Sequence, residues 1–232
     1  MAERTTATIM TDGTRDMVRL ATCLSPAFPV GAFSYSHGLE CMVSSGRINC
    51  SRELADWLDD LLCLGSAWSD AVLFAEAWNA TSDGDDPRLA AAAELGEALA
   101  PSAERLAETM EQGTAFLRGA GAWAAVHVPG LPHRAPYPVA VAAVCAAHGI
   151  GCELALAAYL HAFVANQVSA AIRLVPLGQS DGLAVLARLE PLVLDTAARA
   201  AQSSLDDLGS ATMTADIAAM THETQHSRLF RS

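Results

Sequence analysis

The chain has 232 residues, 52% of them hydrophobic and 17% charged, with 26 acidic residues against 14 basic ones and a net charge of −12. This apolar content excludes a disordered chain, and the length allows a large buried core in one domain or two. The acidic balance, in which every basic residue is an arginine, argues against nucleic acid, because phosphate binding needs clustered basic groups. The six cysteines form no CxxC pair, and residues 1–20 carry charges throughout without an apolar segment. Both features point to a cytoplasmic chain with reduced thiols.

In chain order the pattern is helix after helix. A polar, mobile start is expected to about Thr14, then a short helix over residues 15–23. The stretch TCLSPAFPVGAFSYSHGLE, residues 22–40, is unlike the rest. Pro26, Pro29 and Gly31 keep it out of regular structure, yet Phe28, Val30 and Phe33 are apolar, so the loop is expected to pack against something fixed. Ser34 or Ser36 can cap a helix ending by Gly46, with Glu40 near its positive end. Gly38 in the first turns suggests close approach of another backbone.

Ser51 is expected to cap a long helix in which Leu54, Trp57, Leu58, Leu61, Leu62 and Trp68 recur at helical spacing, divided at Gly65. After a turn at TSDGDDP, capped by Asp86, two alanine-rich helices follow over residues 87–100 and 101–121. A proline-rich connection over residues 127–138 leads to a helix over 137–147, broken by GIG at 149–151. Residues 152–174 form the most apolar helix, with no charged side chain from 154 to 172. Together with a mean hydropathy of +0.26, it raises a membrane alternative. Its small and polar residues and the lack of flanking basic clusters favour a core helix enclosed on all sides. The next helix is capped by Ser180 or Asp181 and split at Pro191, and a last short helix follows Gly209. The fold class is therefore all-α: a single-domain bundle of about ten helices without a sheet, spanning residues 15–221, with a tail at 222–232.

The tail, HETQHSRLFRS, contains HExxH at His222, Glu223 and His226. On a helix, two histidines four apart can bind zinc while the glutamate activates water. A catalytic zinc needs a third protein ligand, and no His, Asp or Glu follows His226. A zinc metallohydrolase is thus the alternative reading, not the main one. Cys145, His148 and Cys152 could offer soft ligands, but the GIG break separates them. No Ser-His-Asp arrangement or phosphate-binding glycine loop is present, and no enzyme is expected.

The run SPAFPVGAFSYSHGLE resembles the N-terminal signature of the urease accessory protein F family, UreF. The tail resembles that family's C-terminal signature, and RLVPLGQ at residues 173–179 its central segment. The match falls on Ser25, Pro26, Pro29, Val30, Gly31, Phe33, Ser34, Tyr35, Ser36, Gly38, Leu39 and Glu40, then on Arg173, Pro176, Gly178 and Gln179. In the tail it covers His222, Glu223, Thr224, Gln225, Ser227, Arg228, Leu229, Phe230, Arg231 and Ser232. Departures are Ala32 for glycine, Leu183 for a glutamine and His226 for tyrosine, the last making HExxH an accident of one substitution. The resemblance implies a non-catalytic, helical, dimerising scaffold that binds UreD (also called UreH) and recruits the GTPase UreG to deliver nickel to apo-urease. It implies no cofactor or metal ligand of its own. Its expected partner-binding residues are Ser34, Tyr35, His37, Gly38, Glu40, Arg173, Gln179, His222, Glu223, Gln225, Arg228, Leu229, Phe230 and Arg231. The tail is expected to order on binding UreD, and residues 34–40 with Arg173 to face UreG.

Overall fold

In the computed structural model the described residues are 2–123 and 128–232, with side chains from Gly13 onward. The expected mobile start lies in good part outside the described side chains, as does His127 of the proline-rich connection. Ten α-helices and two single 3-10 turns make up the described residues, with no strand among them. They are α1 Ala2–Cys23, α2 Leu39–Ser44, α3 Ser51–Leu64, α4 Ser66–Asp83, α5 Asp86–Ala98, α6 Ala103–Ala120, α7 Tyr137–Ala147, α8 Cys152–Leu174, α9 Gln179–Ala200 and α10 Met213–His222, with the 3-10 turns at Ala32–Ser34 and Leu205–Asp207.

The centre is α7, which is apolar on every side and therefore stable only when surrounded. Residues 138–145 are all buried, packed between α4 and α6. Small side chains let these helices approach closely. At Gly113 of α6 a Cβ would lie 1.9 Å from the Ala135 carbonyl oxygen, so glycine is required there. Phe116 fills the space beside it, against Phe28 of the loop before α2 and Tyr137 of α7. The apolar residues of the proline-punctuated loop thus do pack on fixed structure. On the other flank, α9 lies along α8 and crosses α3.

Four details depart from the sequence expectations. α1 begins at Ala2 and not at Arg15. Helix starts move by a residue or more: Asp85, not Asp86, caps α5 by accepting the Arg88 N–H, Cys50 precedes α3, and Gly178 precedes α9 while Asp181 accepts the Gly178 N–H. α9 runs unbroken through Pro191, because the proline and Ala187, whose carbonyl loses its partner, lie on the exposed side, open to solvent. Finally, α8 is not enclosed all round. It is long and apolar enough to cross a membrane, and half of its most apolar stretch is buried inside the fold. Leu154 and His161 are exposed on its free face, which borders a cavity.

Candidate functional site

The three signature segments, far apart in sequence, meet on one face, where the tail lies across the start of α2 and along α6. The local backbone at Ser36, His37 and Gly38 makes this possible. His37 has φ of 59° and Gly38 φ of 81°, two consecutive left-handed residues that turn the chain sharply into α2. A left-handed conformation is uncommon for a residue with a Cβ, and buried contacts hold His37 in it. Its Nε2 lies 2.5 Å from Ser66 Oγ and its ring meets the edge of Phe163. Gly38 sits against α10, where a Cβ would be 3.1 Å from the Ala219 nitrogen. The close backbone approach expected there is the contact between α2 and α10.

Glu40 is the hub of the tail. Although it lies in the first turn of α2, its carboxylate faces away from that turn. Oε1 accepts the Leu229 N–H at 2.7 Å and Oε2 the Phe230 N–H at 2.8 Å, with His222 Nε2 3.2 Å from Oε2. His222 Nδ1 lies 2.6 Å from Glu104 Oε2. The imidazole is fully buried and clamped between two carboxylates, one from α2 and one from α6. Arg228 bonds the other Glu104 oxygen at 2.5 Å. Two backbone bonds continue the pairing, from the Arg231 N–H to the Ser34 carbonyl and from the Ser36 N–H to the Ser232 carbonyl, each 2.8 Å. Arg231 also forms an ion pair with Glu111 and lies over the Tyr35 ring, while Tyr35 donates to Glu111 at 2.7 Å. From α8, Arg173 donates to the Phe33 carbonyl at 2.8 Å and covers the Phe230 ring at 4.4 Å. These charge-assisted bonds are individually stronger than neutral ones.

Beneath the tail is a buried ionic group. Ser232 Oγ donates to Glu108 Oε2 at 2.8 Å, and the same carboxylate pairs with Arg105. Burial works to raise the Glu108 carboxyl, but the Arg105 guanidinium and His37 outweigh it and hold it down to about 2. Burial, reinforced by Arg105, lowers His37 to about 4. Asp70 of α4 is pushed up to about 6 by burial, partly offset by Arg105 and by the bond from Tyr159.

Of the expected site residues, Ser34, Tyr35, His37, Gly38, Glu40, Arg173, His222, Arg228, Leu229, Phe230 and Arg231 come together here. Glu223 belongs to the neighbouring helix end, where it accepts the Ala103 N–H at 2.7 Å and supplements the Ser102 cap of α6. Gln225 braces the tail internally by donating to the Ser227 carbonyl at 2.9 Å. Gln179 stands apart as the exposed first residue of α9. Sequence reasoning missed Glu104, Glu108 and Glu111 of α6, which hold the tail from below. Their spacing of four and three puts all three on one helix face, a signal hidden by the helix's alanine-rich composition.

HExxH has another use here. α10 ends at His222, so His226, exposed beyond it, is not placed one helical turn along the same face. Among the described residues no group of three or more His, Cys, Asp or Glu is arranged to hold a metal ion. The six cysteines are free thiols, and burial pushes Cys145 up to about 12 and Cys152 up to about 11.

The chain's similarity to known proteins extends well beyond these segments. The family model UreF matches residues 48–190. The chain is 54% identical to urease accessory protein UreF 1 of Brucella suis biovar 1, over 97% of both chains. It is 52% identical to urease accessory protein UreF of Mesorhizobium japonicum, over 93% of this chain and 96% of that one. For the protein of the same name from Agrobacterium fabrum the identity is 53%, over 95% and 98%. The matched region runs from just before α3 into α9, so it contains the packed body as well as Arg173 and α6, and the relatives extend it over both signature ends: the chain belongs to the UreF family of urease accessory proteins.

Proposed function

We propose that this chain is a non-catalytic scaffold for nickel insertion into apo-urease, which binds UreD (UreH) and recruits the GTPase UreG. On this reading it works in the cytoplasm as a homodimer, handles nickel only as the cargo of the complex and needs no resident cofactor. The observation that supports it most is the gathering of residues 33–40, Arg173 and the tail on one face.

That face has the chemistry of a protein interface. Phe33 and Leu229 are 67% and 54% exposed, set among Arg173, Arg228 and Arg231. Apolar anchors beside guanidinium forks are the residue types favoured in binding hot spots. His37, Gly38, Glu40 and His222 are buried or closely packed and act by shaping the face. The tail presents Arg228, Leu229 and Arg231 to UreD, while Arg173 with Phe33 and Ser34 faces UreG; Tyr35 and Ser36, buried like residues 37–40 and likewise expected on the UreG side, support this face from behind.

Size-exclusion chromatography with light scattering, on the chain alone and with UreD and then UreG, tests this reading. A dimer is expected, growing in two stoichiometric steps. Deleting residues 223–232 should abolish capture of UreD, and Arg173→Ala should weaken recruitment of UreG. A chain that ignores both partners would overturn the reading and send attention to bound zinc and peptidase activity.

A further inference from the structure

His222 stands where the end of α10 meets the starts of α2 and α6, and both of its ring nitrogens face a carboxylate. Nδ1 lies 2.6 Å from Glu104 Oε2 and Nε2 3.2 Å from Glu40 Oε2. A neutral imidazole has one N–H and one lone pair, whereas the imidazolium has two N–H groups. With a neutral ring, one of these two contacts would set a lone pair against a carboxylate oxygen. The ring has no exposed surface, so water does not relieve that contact.

The partners of the two carboxylates point the same way. Glu40 accepts the Leu229 N–H through Oε1 and the Phe230 N–H through Oε2, so both of its oxygens already act as acceptors. Glu104 accepts from Arg228 through Oε1 and turns only Oε2 to the ring. Of the other charged groups around the seam, Glu223 accepts the Ala103 and Glu104 N–H groups at the start of α6, and Asp216 of α10 lies near Arg105. Two carboxylates therefore face one guanidinium and the ring. A neutral ring would leave this seam with an excess negative charge, in a chain whose net charge is already −12.

We infer that His222 is held as the imidazolium, and that its second proton is what closes the tail onto α2 and α6. With the tail open the ring stands in water, where histidine is mostly neutral above its ordinary value of about 6.5. Docking then takes up a proton, so rising pH favours the open tail and falling pH the closed one. The groups beneath the tail act at lower pH, His37 at about 4 and Asp70 at about 6. Burial pushes the Cys41 thiol of α2 above its usual value. The effect of this proton on UreD capture rests on the function proposed above, whereas the docking of the tail does not.

Histidine-selective nitrogen-15 NMR and limited trypsin digestion of the full chain test the inference. Release of residues 229–232 is normalised to cleavage of a free peptide of residues 222–232, which removes the protease's own pH dependence. At neutral pH both ring nitrogens of His222 should carry protons. Normalised release should rise by about tenfold between about pH 7 and pH 9, within the limit of about tenfold per pH unit that one linked proton allows. His222→Gln, which also assigns the resonance, should release the tail quickly at neutral pH with no further rise. His226→Gln, at the exposed histidine of the tail, should keep the parent's profile. Glu104→Gln, which takes one carboxylate from the ring, should flatten the profile and serves should His222→Gln fail to fold; circular dichroism shows that each variant is folded. A single ring proton at neutral pH, a flat profile in the parent, or loss of the rise in His226→Gln would each overturn the inference. UreD capture is read separately: a protonated, closed tail on a chain that ignores UreD would overturn the proposed function and leave the proton in place.

Discussion

The packed body and the clasped tail are held by opposite means. Around α7 the chain uses small apolar side chains in quantity: Val139, Ala140, Val141, Ala142 and Ala143 are all fully buried, and the stabilisation is spread over many weak contacts. In the tail a few carboxylates do most of the holding, with Glu40 alone taking two backbone N–H groups and facing an imidazole. A dispersed core fails by volume and a clasp fails by losing one acceptor. The two regions should therefore respond differently to substitution.

The largest effect is expected in the body. Phe116→Ala opens a cavity between Phe28 and Tyr137 and should cost about 4 kcal/mol in denaturant unfolding, seen as a lower midpoint for the whole chain. Glu40→Ala leaves His222 and two backbone N–H groups without their acceptor and should cost about 3 kcal/mol. Its distinguishing sign is local: trypsin should cut after Arg228 much faster than in the parent while the helix content is unchanged. Equal protection of the tail in both proteins would remove the distinction between the regions.

The ionic group beneath the tail gives a pH test. His37 is depressed to about 4, so its contribution is present above the ordinary histidine value and is lost as pH falls towards 4. Asp70 is raised to about 6, so its contribution is present at low pH and is lost as pH rises through 6. The two oppose each other between pH 4 and 6. Asp70→Asn removes the compensating half, and its stability should fall more steeply than the parent's as pH drops from 6 to 4. The smallest effect is that of Glu223→Ala, which removes the acceptor of the Ala103 N–H but leaves the Ser102 cap of α6 in place and should cost about 0.5–1 kcal/mol in unfolding.

The helices were legible because their evidence is local. The division at Gly65, the proline-led start of α7 and the GIG break before α8 are each set by residues within a turn of the boundary. The signature residues were legible as a set, yet nothing in their spacing said that they touch. Glu40 looked like a residue for its own helix end and is instead an acceptor for residues 189 and 190 positions away. Long-range pairing of this kind leaves no periodic trace. The same holds for α9, where Pro191 predicts a break that the helix's outer side absorbs, and for HExxH, whose histidines separate because α10 stops at the first of them.

The bond between Ser36 and Ser232 spans 196 residues of chain. During synthesis from the N-terminus, the body can fold as its helices emerge, but Glu40 and Glu104 wait for an imidazole that is translated 182 and 118 residues after them. Until residues 222–232 arrive, two carboxylates at the start of α2 and α6 lack the imidazole that joins them, so closure of the tail reports that synthesis has passed this segment, and a product truncated before His222 is left with an open seam.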